Sequence, residues 1–147
     1  MSNYATPAEA QAYFDNRLHT DPWDDANLSE RNASLAMATE IIDRLNYKGS
    51  KTSDDQVNQF PRDADTLVPE DVKKASSEIA LALLDGVDPD LEFENLSMTS
   101  QTYSGIKSNY DRSTSPEHTL AGVPSVTAWR YLKPYIRDPY SVDCYRV

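Results

Sequence analysis

Apolar residues recur at helical spacing in three stretches of this chain, and all three lie before residue 90. That confinement limits the fold more than any other feature. A chain of 147 residues is long enough to bury one substantial core. Here the side chains for that core are concentrated in the first three-fifths.

The first stretch opens with Thr6-Pro7-Ala8-Glu9. Thr6 can cap, Pro7 suits the first helical position, and Glu9 completes a capping box. Ala10, Tyr13, Phe14 and Leu18 follow at helical spacing, so a helix is expected over 7–18. His19 to Asp25 breaks it, and Trp23 reads better as a cover over the helix ends than as a contact anchor. The second stretch places Leu35, Ala38, Ile41, Ile42 and Leu45 on one stripe. Ser29 is the expected cap, Gly49 ends the run, and the helix spans about 30–46. A polar segment, Lys48 to Leu67, carries Phe60-Pro61-Arg62 and is long for a compact domain, so it reads as an ordered or functional loop. The third helix opens at Val68-Pro69-Glu70-Asp71, whose acids suit the helix dipole. Val72, Ala75, Ile79, Ala80, Leu83 and Leu84 form its apolar face, and Gly86 closes it.

After residue 90 the apolar residues thin out. Residues 97–107 are expected as an extended strand or hairpin arm. Ser125 caps a short helix near 125–133 that Pro134 ends. The expected fold class is therefore mainly α. It is a small bundle of three to four helices (residues 1–90), with an extended strand or hairpin region and a C-terminal arm (91–147). Trp129, Arg130, Tyr131, Tyr135, Arg137 and Tyr140 are the candidate docking residues of that arm. Aromatic and arginine side chains without aliphatic mass of their own suit an interface.

Charge divides at the same place. Residues 1–90 hold 18 acids and 8 bases, whereas 91–147 hold 6 of each, so the formal net charge of −10 belongs to the helical part. Sequence-independent nucleic-acid binders need a basic face, which argues against general DNA binding. The longest apolar run, Ile79 to Leu84, is too short to cross a membrane, and Met1-Ser2-Asn3-Tyr4 does not open a secretory signal. The Asn-x-Ser sequons at Asn27, Asn32 and Asn95 are read as chance.

Chemistry is sparse. One cysteine, Cys144, can build neither an internal disulfide nor a Cys-rich zinc site. His19 and His118 sit beside no other ligand at metal spacing, and the pairs Asp24-Asp25 and Asp54-Asp55 match no EF-hand loop. Ser76 and Ser77 have no evident base. No phosphate-cradling glycine loop occurs. The expectation is a non-enzyme with no catalytic residues, no metal and no cofactor.

Four segments carry a resemblance. They are Tyr4-Ala5-Thr6-Pro7-Ala8-Glu9-Ala10 with Ala12-Tyr13-Phe14; Ala36-Met37-Ala38-Thr39 running into Ile41-Ile42-Asp43-Arg44-Leu45 and Tyr47-Lys48-Gly49; Gln59-Phe60-Pro61-Arg62 followed by Val68 to Lys73 and Glu78 to Leu84; and Val123-Pro124-Ser125 with Ala128 to Leu132. In this order they resemble the head-to-tail adaptor, or head-completion, proteins of tailed bacteriophages. Similar sequences are also grouped under a DnaT-like single-stranded-DNA-binding label. The adaptor resemblance implies a structural virion protein at the head–tail interface, assembled in the host cytoplasm. It implies a homo-oligomeric ring, twelvefold, that joins the portal protein to the tail nozzle or tube. The arm docks on the portal or a neighbour, and the acidic wall lets genome DNA pass without specific binding. Two other readings compete. One is a replication-type single-stranded-DNA binder, whose aromatics stack on bases. The other is a small acidic regulator that mimics DNA.

Overall fold

The computed structural model describes residues 2–96, 100–103, 106–109 and 116–138. Their elements, in chain order, are α1 (Pro7–Phe14), α2 (Asp21–Asp25), α3 (Leu28–Asp43), α4 (Glu70–Leu84), α5 (Pro89–Asn95), β1 (Ser100–Tyr103), β2 (Ile106–Asn109), α6 (Glu117–Leu120) and α7 (Val126–Leu132). A single 3-10 turn, Lys133–Tyr135, follows α7. The protein is mainly helical, a small bundle. The strands pair antiparallel with Ser100 opposite Asn109 and Tyr103 opposite Ile106, a hairpin within the region expected to be extended. No helix among the described residues is long and apolar enough to cross a membrane.

The helix starts follow local chemistry. The Thr6 side chain accepts the Glu9 N–H at 3.2 Å, and the Glu9 carboxylate accepts the Thr6 N–H at 2.9 Å, so the expected capping box forms. The second capping box was not expected. Asn27 and Glu30 exchange the same pair of bonds, so α3 begins at Leu28 and Ser29 lies inside it. α1 stops at Phe14, a turn earlier than the spacing suggests. The chain turns through His19, at φ +61°, and brings Trp23 onto Phe14 at 5.0 Å between ring centroids. Leu18 is left outside, 79% exposed. Trp23 is fully buried as the expected cover, its indole N–H donating to Gln11.

α4 is the central helix, packed against α1, α2, α3 and α7. Every residue from Ala75 to Leu81 is buried. The sequence shows one apolar face, formed by Val72, Ala75, Ile79 and Ala80. Ser76 falls within that stripe, and the opposite face, Ser77 and Glu78, is buried as well, because α1 and α7 close over it. Ser77 bonds back to the Lys73 carbonyl at 3.0 Å. Glu78 receives the Arg17 guanidinium on both oxygens, at 2.6 and 3.1 Å, and the Tyr13 hydroxyl at 2.6 Å. Burial and the negative Glu78 push the Tyr13 hydroxyl above its ordinary pKa.

Within the expected arm, α7 and the residues flanking it pack on the body. Val123, Ala128 and Leu132 are fully buried in the same core as α3 and α4. Three apolar residues are enough because they fill the side of α4 that α3 leaves open. Ser125 caps α7 by accepting the Ala128 N–H at 3.2 Å, as its position suggests. Beyond the 3-10 turn, Ile136 forms an antiparallel bridge with Tyr47.

Arg17→Ala leaves the Glu78 carboxylate buried without its cation. The arginine is itself 30% exposed, so the expected cost is about 2 kcal/mol rather than the full cost of a buried pair. Ser76→Ala removes a hydroxyl that has no hydrogen-bond partner among the described residues. It is expected to be neutral or stabilising by up to about 1 kcal/mol. Urea unfolding of both variants checks the pair of signs.

Candidate functional site

The segment between α3 and α4 is held by side chains rather than by regular structure. Phe60, 3% exposed, sits among three tyrosines with ring centroids at 6.0 Å (Tyr4), 4.7 Å (Tyr47) and 5.5 Å (Tyr135). Tyr4 donates its hydroxyl to Asp43 and accepts the Phe60 N–H at 3.2 Å. Asp43 also accepts the Gln59 N–H at 3.1 Å. Burial and the bond to Asp43 raise the Tyr4 hydroxyl above its ordinary pKa, so it remains a donor. Arg62 then closes the loop. Its guanidinium donates to the carbonyls of Lys48 (2.9 Å), Gly49 (2.7 Å) and Gln59 (3.3 Å), and to the Gln59 side chain (2.9 Å). Gly49 has φ +72°, and a Cβ there would lie inside the Asp63 carboxylate. The tail seals the far side, with Lys48 N–H to Tyr135 O at 2.9 Å and Arg137 N–H to Asn46 O at 3.0 Å.

These contacts shape a surface cleft of about 510 Å³ lined by Leu45, Asn46, Tyr47, Gly49, Gln59, Arg62 and Arg137. Two guanidiniums line it and no carboxylate does. The other four concavities described each include at least one Asp or Glu. Arg44, Lys48 and Lys51 lie on the same segments. No ion pair joins Lys48, Lys51 or Arg62 to a carboxylate among the described residues. The bonds to Arg62 come from neutral groups, so its positive charge is fixed in place without being cancelled. Asp63 turns aside to accept the Ser50 N–H at 3.0 Å.

The six residues expected to act together are divided. Tyr135 is in the Phe60 cluster and Arg137 lines the cleft. Trp129 and Tyr131 lie on α7, elsewhere. The Trp129 indole N–H donates to Glu117 at 3.3 Å, and Tyr131 lies under Lys74 Nζ at 5.9 Å from the ring centroid. Arg130 is exposed on the same helix. Tyr140 lies outside the described residues. Asn46, Gln59 and Arg62 were missed as site residues. A local count would have pointed to them, since four of the eight bases before residue 90 fall between positions 44 and 62. No group of three or more potential metal ligands forms among the described residues.

The fold and cleft define a small helical domain with an arginine-lined cleft on a chain of net acidic charge. Its sequence fixes the family. Residues 2–146 match the family described as "Putative DnaT-like ssDNA binding protein", and the chain belongs to that family. No curated protein and no solved structure matches the chain. The match overturns the adaptor reading, which rested on short segments that are each weak alone. The portal and tail partners, the twelvefold ring and the passive DNA channel fall with it.

Tyr4→Phe leaves the buried Phe60 N–H without its acceptor and is expected to cost about 1–3 kcal/mol. Gly49→Ala forces both the backbone strain and the Asp63 clash. Hydrogen exchange is expected to show faster opening of residues 48–63 in both variants, with α4 amides still protected in Gly49→Ala.

Proposed function

We propose that this chain binds single-stranded DNA at the cleft between the end of α3, the Gln59–Arg62 turn and Arg137. The observation that carries the reading is the cleft's lining of two guanidiniums without a carboxylate. The family's description supports the choice of ligand. Arg62 and Arg137 take backbone phosphates, and Lys48 and Lys51 extend the cationic track. The Asn46 and Gln59 amides meet the edges of unpaired bases, which a duplex would keep engaged. Stacking contributes little, because Phe60 and Tyr47 are only 3% and 5% exposed. The net charge of −10 no longer argues against this ligand, since no carboxylate lines the cleft itself. It does limit affinity, by repelling any strand that strays from the track. The reading is one of a binding module with no catalytic step.

Binding of a fluorescent oligothymidylate is expected to weaken with salt. Three or four phosphate contacts give a slope of log K against log salt of about −2 to −3. Lys48→Glu with Arg137→Glu should abolish binding, whereas Lys74→Glu with Arg130→Glu, on the α4–α7 side, should leave the cleft's contribution intact. Absence of binding at low salt, or loss only in the α4–α7 variant, overturns the assignment.

A further inference from the structure

The opposite charge character appears on another part of the surface, and there the floor is apolar. Two adjoining concavities of about 450 and 440 Å³ share Met37, Leu83, Asp88 and Pro89. They run between α3, the C-terminal end of α4, and α5. Met37, Phe93 and Leu120 are 52–54% exposed along this groove. α5 buries none of its residues, although it carries Leu91 and Phe93. The groove's rim holds Glu30, Glu40, Asp88 and Asp90 against one base, Arg44, which is already 3.8 Å from Glu40.

From this we infer that the groove is a docking site for a basic amphipathic helix of a partner protein. An apolar trough between helices takes the apolar side of a helix presented at i, i+3, i+4 and i+7. Phe93 and Leu120 on one side and Met37 on the other would clasp that stripe. The carboxylates of the rim set the sign of the partner's flanking residues, which must be Lys or Arg. The same charge excludes two other occupants. A nucleic-acid strand would meet carboxylates, and a second copy of this chain would bring an equally acidic rim against the first. None of the four rim carboxylates lines the cleft that holds Arg62 and Arg137, so DNA and the helix could be held together.

The test uses a synthetic fluorescent peptide with leucines at helical spacing and lysines beside them. Its controls are a scrambled sequence of the same composition and a version with glutamate for lysine. Fluorescence anisotropy with the full chain is expected to show the amphipathic peptide binding at least tenfold more tightly than either control. Met37→Lys with Phe93→Ala should weaken it at least tenfold while leaving oligothymidylate binding unchanged. Both positions are half exposed, and a matching thermal melt confirms folding. Glu40→Gln with Asp90→Asn provides a second, milder variant that should weaken binding severalfold and flatten its salt dependence. Equal binding of the scrambled peptide, or indifference to both variants, overturns the inference. So does a wild-type dimer in sedimentation that Met37→Lys dissociates, which gives the groove to a second copy. Competition by a peptide of residues 139–147 would give it to the chain itself and would equally overturn the inference.

Discussion

Glu78 fixes how the bundle is assembled. A carboxylate 2% exposed in the middle of a helix has to be met from outside that helix. Arg17 and Tyr13 meet it from α1 and the residues just after it. That requirement sets α1 against α4 in one register, and Trp23 then follows onto Phe14. With α3 on the apolar face and α7 on the remaining side, α4 has no solvent-facing middle. An apolar residue at position 78 would pack with fewer constraints. The ion pair supplies an orientation that apolar contact, being non-directional, would not.

The second organising fact is that the surface charge is sorted. The acids dominate the whole, yet the segments around the end of α3 and the tail crossing carry the bases. Two carboxylates on these segments are engaged by backbone N–H groups, Asp43 by Gln59 and Asp63 by Ser50. A polar loop of this length survives because its backbone groups are bonded by side chains, above all Arg62. The same residue that orders the loop provides a positive charge to the cleft.

Much of this was legible in the residues. The capping box at Thr6, the stripe of α3, the apolar face of α4 and the Ser125 cap all follow from local rules that the neighbours do not override. The Asn27 box was equally visible, but Ser29 competed with it for the role of cap. Burial of Ser77 and Glu78 was not legible, because a period of apolar residues reports only the face that needs no partners. The docked tail was hidden for a related reason. Val123, Ala128 and Leu132 are too few to announce a core, and they succeed only by completing one built elsewhere. The cleft draws on positions 45–49, 59–62 and 137. No local rule links them, and the whole-chain charge count concealed the basic cluster among them.

That three-part construction ties the cleft to the folded state. A fragment holding only residues 44–62 lacks Arg137 and the Tyr4 and Tyr135 rings around Phe60, and a fragment of the tail lacks everything else. No stretch of the open chain gathers the cations as the native form does. A ligand held there therefore engages the native form and scarcely the open one, so its binding adds to the stability of the whole bundle. Occupancy of the cleft and survival of the helix around Glu78 become two readings of one equilibrium.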